Sequence, residues 1–359
     1  MHVRAIKRAV ARAAGLALYH SGLLRVLERL RPRPGEARVF ILNYHRVAGD
    51  GLGLQNITIS PENFRSQMAY LAHGPYKPVS LMRFVRHVRG EETLEGDCVV
   101  VTFDDGYRDN YANAFPILEG LGVPATVFLT TGALDTQEPL WWDKVVIALR
   151  AMDGPPAPMT ALHARIPATT WERIRAAAGR ADASAEPAMA DLLAELKRLD
   201  PGRRDAIVDA LWAMAPAKVD DLMMTWDMAR AMRGSLIEFG AHTVTHPIMS
   251  QLDTDRARVE LRDAKARIEA ELGEEIVTFA YPNGKAADFT EQTVGLLTEC
   301  GYQMALTTEK GVNDRDTDPF RVRRYSISNA PAYVLAVRLC AIALLDDLRG
   351  LLGKRRPPS

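Results

Sequence analysis

The sequence predicts an α/β fold built on a parallel sheet, with a helical region set into it. Three observations carry this expectation. Short apolar runs of strand character recur along the chain. Helical patterns with start and stop signals lie between several of them. One stretch, residues 142–234, breaks the alternation and contains no good strand.

The strand-like runs are Val39–Tyr44, Val99–Phe103, Ala125–Thr130, Ile237–Ala241, Ile276–Tyr281 and Tyr302–Leu306. The helical pattern at Phe64–Leu71 follows Ser60-Pro61-Glu62-Asn63, a cap with proline in the first turn. A second helix, Ala112–Leu121, stops at Gly122. A third, Asp255–Leu272, stops at Gly273, with Val259, Leu261, Ile268 and Leu272 as its apolar positions. Strands alternating with helices give a parallel sheet, open or closed into a barrel. Within 142–234 the segment Asp153–Pro158 reads as a loop and Asp200-Pro201-Gly202 as a turn. Ala-rich, charge-studded stretches at Thr170–Arg180, Ala188–Leu199 and Arg203–Met214 read as helices. The expectation is a helical insertion packed over the mouth of the α/β domain.

The 359 residues, 47% hydrophobic and 25% charged, suffice for a sizeable core. Lys plus Arg and Asp plus Glu are equal at 45 each, so net charge gives no pull toward nucleic acid. Cys98, Cys300 and Cys340 are scattered and read as reduced thiols.

Charge is balanced overall but not locally. Residues 1–38 carry Arg4, Lys7, Arg8, Arg12, Arg25, Arg29, Arg31, Arg33 and Arg38 against Glu28 and Glu36. Ala13–Tyr19 is short, and no small-residue cleavage site follows, so no signal peptide is expected. Residues 1–37 read as a basic amphipathic helix, either on an anionic membrane surface or docked on the domain. Residues 329–359 read as a C-terminal amphipathic helix and basic tail. Its apolar stretch Val334–Leu352 is broken by Arg338, Asp346, Asp347 and Arg349, too often for a spanning helix. A cytoplasmic chain, or one peripheral to the inner membrane, is the expected location.

Four clusters of polar residues sit where strands end. Val99–Val101 leads into Thr102-Phe-Asp-Asp-Gly106, placing Asp104 and Asp105 side by side. Ile237–Ala241 leads into His242-Thr-Val-Thr-His246-Pro247. On a helical turn, histidines at i and i+4 share a face and reach one ion. Ile276–Tyr281 leads into Pro282-Asn283-Gly284, either an ordinary turn or one aiming a backbone N–H at a site. Val39–Tyr44 leads into His45-Arg46. Two histidines and one carboxylate leave open positions on a divalent ion. Trp141 and Trp142 read either as sugar-stacking faces or as a core anchor.

Together Thr102-Phe-Asp-Asp-Gly106, His242–Pro247 and Tyr281-Pro-Asn-Gly284 resemble, in order, the leading motifs of the polysaccharide deacetylases, the NodB-homology domains of carbohydrate esterase family 4. The resemblance covers about residues 38–145 and 233–328 of a domain drawn at 38–328. It implies a distorted (β/α)7-type barrel holding one divalent metal ion at the strands' carboxyl ends. Zn is the expected ion, with Co, Ni or Fe compatible. By position, Asp104 would be the general base, and Asp105, His242 and His246 the metal ligands. The backbone N–H of Asn283 would bind the oxyanion. The substrate class implied is an N-acetylated glycan, most often of N-acetylglucosamine units.

Two positions depart from the family pattern. The arginine that braces the base in many members is here Ala280, and Arg324, in Arg321–Tyr325, is the substitute candidate against a solvated basic strand end. No histidine follows His246, so the usual late acid histidine is missing. Tyr44-His45-Arg46-Val47 resembles the early Tyr-His motif of a circularly permuted exopolysaccharide deacetylase subgroup, which makes His45 the expected general acid. His20, His73, His87 and His163 are expected at the surface. Rival readings are a deformylase or amidase acting on a lipid-linked sugar or small cyclic amide, and an inactive glycan-binding module.

Overall fold

The structure, a computed structural model, describes residues 15–30, 37–49, 57–136, 138–154, 166–179, 186–214, 221–234 and 236–351. The described residues form ten strands: β1 (Arg38–Tyr44), β2 (Arg46–Val47), β3 (Thr58–Ile59), β4 (Lys77–Pro78), β5 (Asp97–Phe103), β6 (Ala125–Leu129), β7 (Ile237–Ala241), β8 (Thr278–Ala280), β9 (Met304–Leu306) and β10 (Tyr325–Ser326). The main sheet runs β10-β1-β5-β6-β7-β8-β9, with β4 against the start of β5, and every ladder in it is parallel. Its two ends meet. Leu306 at the end of β9 bridges Val322, and the chain from Val322 continues into β10, which pairs with β1. The sheet is therefore a curled barrel of seven staves.

Strand residues sort by parity, as alternating side chains must. Val39 and Ile41, Cys98 and Val100, Phe128, Ala280, Met304 and Leu306 fill the barrel interior with Val322. Their neighbours Phe40, Leu42, Val99, Val101, Phe103, Val127 and Leu129 face the surrounding helices. Leu81, Phe84 and Val85 of helix Leu81–Val88 join the interior cluster and close its amino end. The barrel is too narrow for side chains from every stave at one level. Gly240 supplies the space: a Cβ there would stand 2.5 Å from the Phe128 ring and 2.7 Å from Thr278 Oγ1.

The helices follow their local signals. Ser60 caps Pro61–His73 by accepting from Asn63 N–H at 3.2 Å. Gly122 ends Phe115–Leu121, and Gly273 ends Thr254–Leu272, both with left-handed backbone. Val259 is an exception to the sequence reading. It is exposed, and the buried face of Thr254–Leu272 is Ala257, Leu261, Ala264, Ile268 and Leu272. A residue two positions off the i, i+4 stripe simply faces water. His87 is a second correction. It is buried, and its Nδ1 accepts from the Leu94 N–H at 3.2 Å, which fixes the turn after Leu81–Val88. His20 and His73 are exposed, and His163 lies outside the described residues. None of the three cysteines is in a disulfide, and Cys98 and Cys340 are buried.

Among the described residues of 142–234 there are helices and one isolated bridge, Met223 to Tyr107, but no strand. Helices Trp141–Arg150, Ala168–Ala177, Glu186–Leu196 and Pro201–Ala213 form a core of their own, with Val146, Ile174, Leu192 and Leu211 buried in it. At the amino end of the barrel, Arg38 is buried and bonds Asp97 at 2.7 Å and Asp347. This pair ties helix Ala332–Leu351 to the start of β1.

Replacing Gly240 with alanine forces the Phe128 ring out of its place. Overpacking of this kind costs about 1–3 kcal/mol, so Gly240→Ala is expected to lower the denaturation midpoint without changing the secondary-structure content seen by circular dichroism.

Candidate active site

The carboxyl ends of the staves carry the polar residues, and strand parity decides which point inward. Continuing the interior positions one or two steps past the apolar layer gives Asn43, Thr102, Asp104, His242 and Arg324, all buried. Asp104 is thus an interior residue. Its two oxygens hold Arg324 bidentately, at 2.7 Å from Nη1 to Oδ1 and 2.9 Å from Nη2 to Oδ2. Asn43 Nδ2 donates to Oδ2 at 3.0 Å. The Arg324 Nε donates to Thr307 O at 2.9 Å, so the guanidinium is fixed from both sides. Burial alone would raise the Asp104 carboxyl, but Arg324, with His242 and His45 adding to it, holds it well below the usual carboxylate range.

Asp105 is next in sequence and would face outward if the strand continued. The strand stops at Phe103, and Asp105 takes left-handed backbone with φ 77°. That turn swings its carboxylate back across the barrel rim. Oδ1 lies 3.5 Å from His242 Nε2 and 3.4 Å from His246 Nε2. The two histidines do not share a helical face. Residues 242–246 form a loop after β7, with positive φ at Thr243 (66°) and His246 (58°). The His246 N–H donates to Thr243 Oγ1 at 3.0 Å, and Glu260 accepts from the N–H groups of Val244 at 2.7 Å and Thr245 at 2.9 Å. The i, i+4 spacing works here because a tight turn folds it, not a helix. Among the described residues, four of the six non-glycine residues with positive φ, Asp105, Thr243, His246 and Asn283, lie in the strand-end loops of the site, where such backbone is stored for function.

This trio fits a divalent ion. Asp105 Oδ1 is buried with no hydrogen-bond partner, a costly state unless a cation faces it. Burial, then the nearby Asp104 and Asp143, push the Asp105 carboxyl well above its usual range. Burial lowers both histidines, leaving neutral imidazoles suited to ligation. His242 Nδ1 lies 2.7 Å from Ala280 O, so Nδ1–H donates there and Nε2 keeps its lone pair. Ligands about 2.1 Å from one tetrahedral ion stand roughly 3.4 Å apart, the separation seen from Asp105 to each histidine. Asp105, His242 and His246 are the one such grouping among the described residues.

Around this centre the structure places residues that the sequence did not single out. Asp109 accepts from Arg46 Nε at 2.9 Å and from the Val47 N–H at 2.8 Å, while Asn110 Nδ2 donates to His45 O at 2.6 Å. The stretch after the Asp doublet therefore clamps the loop that carries His45. His45 is partly buried. Burial lowers it to about 4, with Asp104 opposing and Arg324 and His242 adding. Trp142 is buried rather than open to stack on sugar. Its Nε1 donates to Tyr107 Oη at 2.9 Å, Tyr107 donates to Asp143 at 2.9 Å, and its ring meets the His246 ring at 4.5 Å between centroids. Trp141 is partly buried under Arg204. Asn283, φ 63°, is held through Nδ2 to Asp288 at 2.6 Å. Lys197, from the end of helix Glu186–Leu196, reaches Asn283 Oδ1 at 3.2 Å. Burial lowers its ammonium, with Asp105 and Asp288 opposing. Nothing in the local sequence of Lys197 marks it, since a lysine in a helical stretch reads as surface.

The profile of the polysaccharide deacetylase family matches residues 91–192 and 204–305, more than half of the chain, and the chain belongs to that family of hydrolases. YxkH of Bacillus subtilis (strain 168) is 20% identical over 292 residues, 81% of this chain and 72% of YxkH. The poly-β-1,6-N-acetyl-D-glucosamine N-deacetylase of Escherichia coli (strain K12) is 33% identical over 84 residues, which span 23% of this chain and 12% of that protein. Among solved structures, IcaB from Ammonifex degensii superposes with a TM-score of 0.55 at 20% identity, over 86% of this chain and 97% of that one. The fold is the (β/α)7-type barrel of such deacetylases.

Arg324 sits where only a bidentate, always-charged group satisfies both Asp104 oxygens. Arg324→Lys is expected to cut turnover at least ~100-fold while metal content stays at the wild-type level, measured by steady-state kinetics and elemental analysis. Arg324→Met strands a buried carboxylate and is expected to cost about 3–5 kcal/mol in chemical denaturation.

Proposed function

We propose that this chain removes N-acetyl groups from N-acetylglucosamine units of a glycan, in exopolysaccharide or cell-envelope glycan metabolism. The observation that carries the reading is the split doublet: an ionised, Arg324-braced Asp104 directly beside a three-ligand centre of Asp105, His242 and His246. The E. coli relative, a poly-β-1,6-N-acetyl-D-glucosamine N-deacetylase, supports the sugar assigned.

Asp105, His242 and His246 would hold the ion, taken as Zn, with Co, Ni or Fe compatible. Such an ion supplies Lewis acidity that acidifies a water and polarises the acetamide carbonyl, so a carboxylate of low basicity suffices as base. Asp104 accepts the water's proton. Its orientation is fixed by Arg324 and Asn43, so little entropy is lost in reaching the reactive geometry. The Asn283 N–H donates to no acceptor among the described residues and is the donor assigned to the oxyanion. His45 is neutral in the resting site. Negative charge developing beside it raises its proton affinity, so it takes up a proton from solvent as that charge develops and passes it to the leaving nitrogen, which cannot depart as an amide anion, while Asp104 returns the water's proton to solvent. The Lys197 ammonium makes a single hydrogen bond and no salt bridge among the described residues. Its remaining N–H groups are assigned to the substrate's polar groups at the mouth.

Three measurements test this reading. Asp104→Asn is expected to bind metal as the native chain does and to lose turnover by roughly 10²–10⁴-fold, read as acetate released from N-acetylglucosamine oligomers. Activity surviving that change would overturn the mechanism, and formate from formamido-sugars in place of acetate would favour the deformylase. Lys197→Met is expected to raise KM about tenfold with kcat within about twofold. Chelation should abolish activity and a divalent ion restore it, with the ion's stoichiometry at one per chain lost in His246→Ala.

A further inference from the structure

All but one of the large hydrophobic side chains exposed by the described residues lie near the two termini, Val259 being the exception. They are Leu16, Leu23, Val26, Leu27, Leu345 and Leu348, each between 39% and 59% exposed. Helix Leu23–Leu30 is inverted. Leu23, Val26 and Leu27 recur at i, i+3 and i+4 on its outer side, while the side packed on the domain buries Leu24 and the carboxylate of Glu28. Glu28 is held there by Tyr70 Oη, which donates to it at 2.7 Å. A helix that hides its acid and shows its leucines has not finished burying its apolar face.

Helix Ala332–Leu351 packs against this segment: it contacts Leu23–Leu30, and Gly15 lies 3.7–3.8 Å, through its Cβ position, from Val337 and Tyr333. Its exposed Leu345 and Leu348 flank Asp346 and Asp347. Asp347 bonds Arg38, and Asp346 lies 3.5 Å from the same guanidinium. The acids of both helices are thus turned inward onto partners. The bases border the apolar side in sequence: Arg4, Lys7, Arg8 and Arg12 before it, Arg31 and Arg33 after it, and Arg349, Lys354, Arg355 and Arg356 at the other helix.

We propose that these two terminal helices form a docking surface for an anionic lipid bilayer. Exposed apolar side chains on two helices whose flanking sequence is basic match the headgroup boundary of such a membrane. A second copy of the chain is the poorer occupant, because a two-fold contact pairs like with like and would bring two equally basic termini together. Nucleic acid would satisfy the bases and leave the leucines in water. No helix among the described residues is long and apolar enough to cross a membrane, and the proposed contact is with the bilayer surface through this face. Arg38 opens β1, so Leu345 and Leu348 sit toward the strands' amino ends. The metal ligands and Asp104 are at the carboxyl ends, and docking leaves the mouth open to glycan.

The experiment is co-sedimentation of the full chain with vesicles of phosphatidylglycerol and phosphatidylcholine, against vesicles of phosphatidylcholine alone. Binding to the anionic vesicles alone, weakening as salt rises, is expected. Leu23→Asp with Leu27→Asp, and separately Leu345→Asp with Leu348→Asp, should each reduce the bound-to-free ratio roughly tenfold or more. Acetate release from soluble oligomers should stay unchanged, which shows that the variants are folded. Wild-type chain that stays in the supernatant, or variants that sediment as the wild type does, overturns the proposal. So does light scattering that shows a dimer which the Asp variants convert to monomer. Failure of the deacetylase reading would appear in the acetate assay and leave the vesicle result untouched.

Discussion

The ion pair between Asp104 and Arg324 is the constraint on which the rest of the site depends. Both groups are buried, and each would be prohibitive alone. Arg324 follows Val322, the residue that closes the barrel seam against β9, and it enters the interior through that seam. Asp104 comes from the opposite part of the chain, at the end of β5. Closing the barrel and fixing the base are therefore one event. Arg324 also rests over the Phe128 ring, 5.8 Å from its centroid, and that ring occupies the room left by Gly240. The apolar interior and the polar rim are packed as one column.

Two adjacent carboxylates at the end of a buried strand would repel if they shared an environment. The barrel separates them by parity and by one backbone turn. Asp104 keeps the strand's inward direction and meets a fixed cation of the protein. Asp105, with left-handed backbone, crosses the rim to two neutral imidazoles and keeps one oxygen unpartnered. The first stays ionised as a base. The second is unstable as an anion until a cation arrives. One dipeptide thus supplies two different chemistries because its two residues obey different local geometry.

The departure at position 280 has a physical consequence beyond the missing arginine. The small Ala280 side chain is buried in the barrel, and its carbonyl takes the His242 Nδ1–H. A guanidinium arriving from Arg324 reaches Asp104 from another stave, so the brace moves in sequence while its chemistry is kept. The insertion makes a comparable contribution at the mouth. Its helices have their own core, yet Lys197 leaves that core to touch Asn283. The segment that breaks the α/β alternation is joined to the residue assigned to the oxyanion.

The sequence by itself determined the strand-ending clusters and the helix caps and stops, while the naming of Asp105, His242 and His246 as candidate ligands came from the family resemblance of those clusters. These are local: an apolar run, a proline or glycine, and a polar residue within a few positions. It could name Arg324 as a candidate only because a charge was needed and none stood at 280. It misplaced Val259 and His87, and it gave the histidine pair a helix that is a turn. Tertiary structure alone decided the rest. Asp109 and Asn110 clamp the His45 loop, Glu260 folds the 243–246 loop, Lys197 arrives from the insertion, and Gly240 yields its volume to Phe128. Each of these depends on a partner brought near by barrel closure, and neither spacing nor propensity encodes a meeting between residues so far apart along the chain.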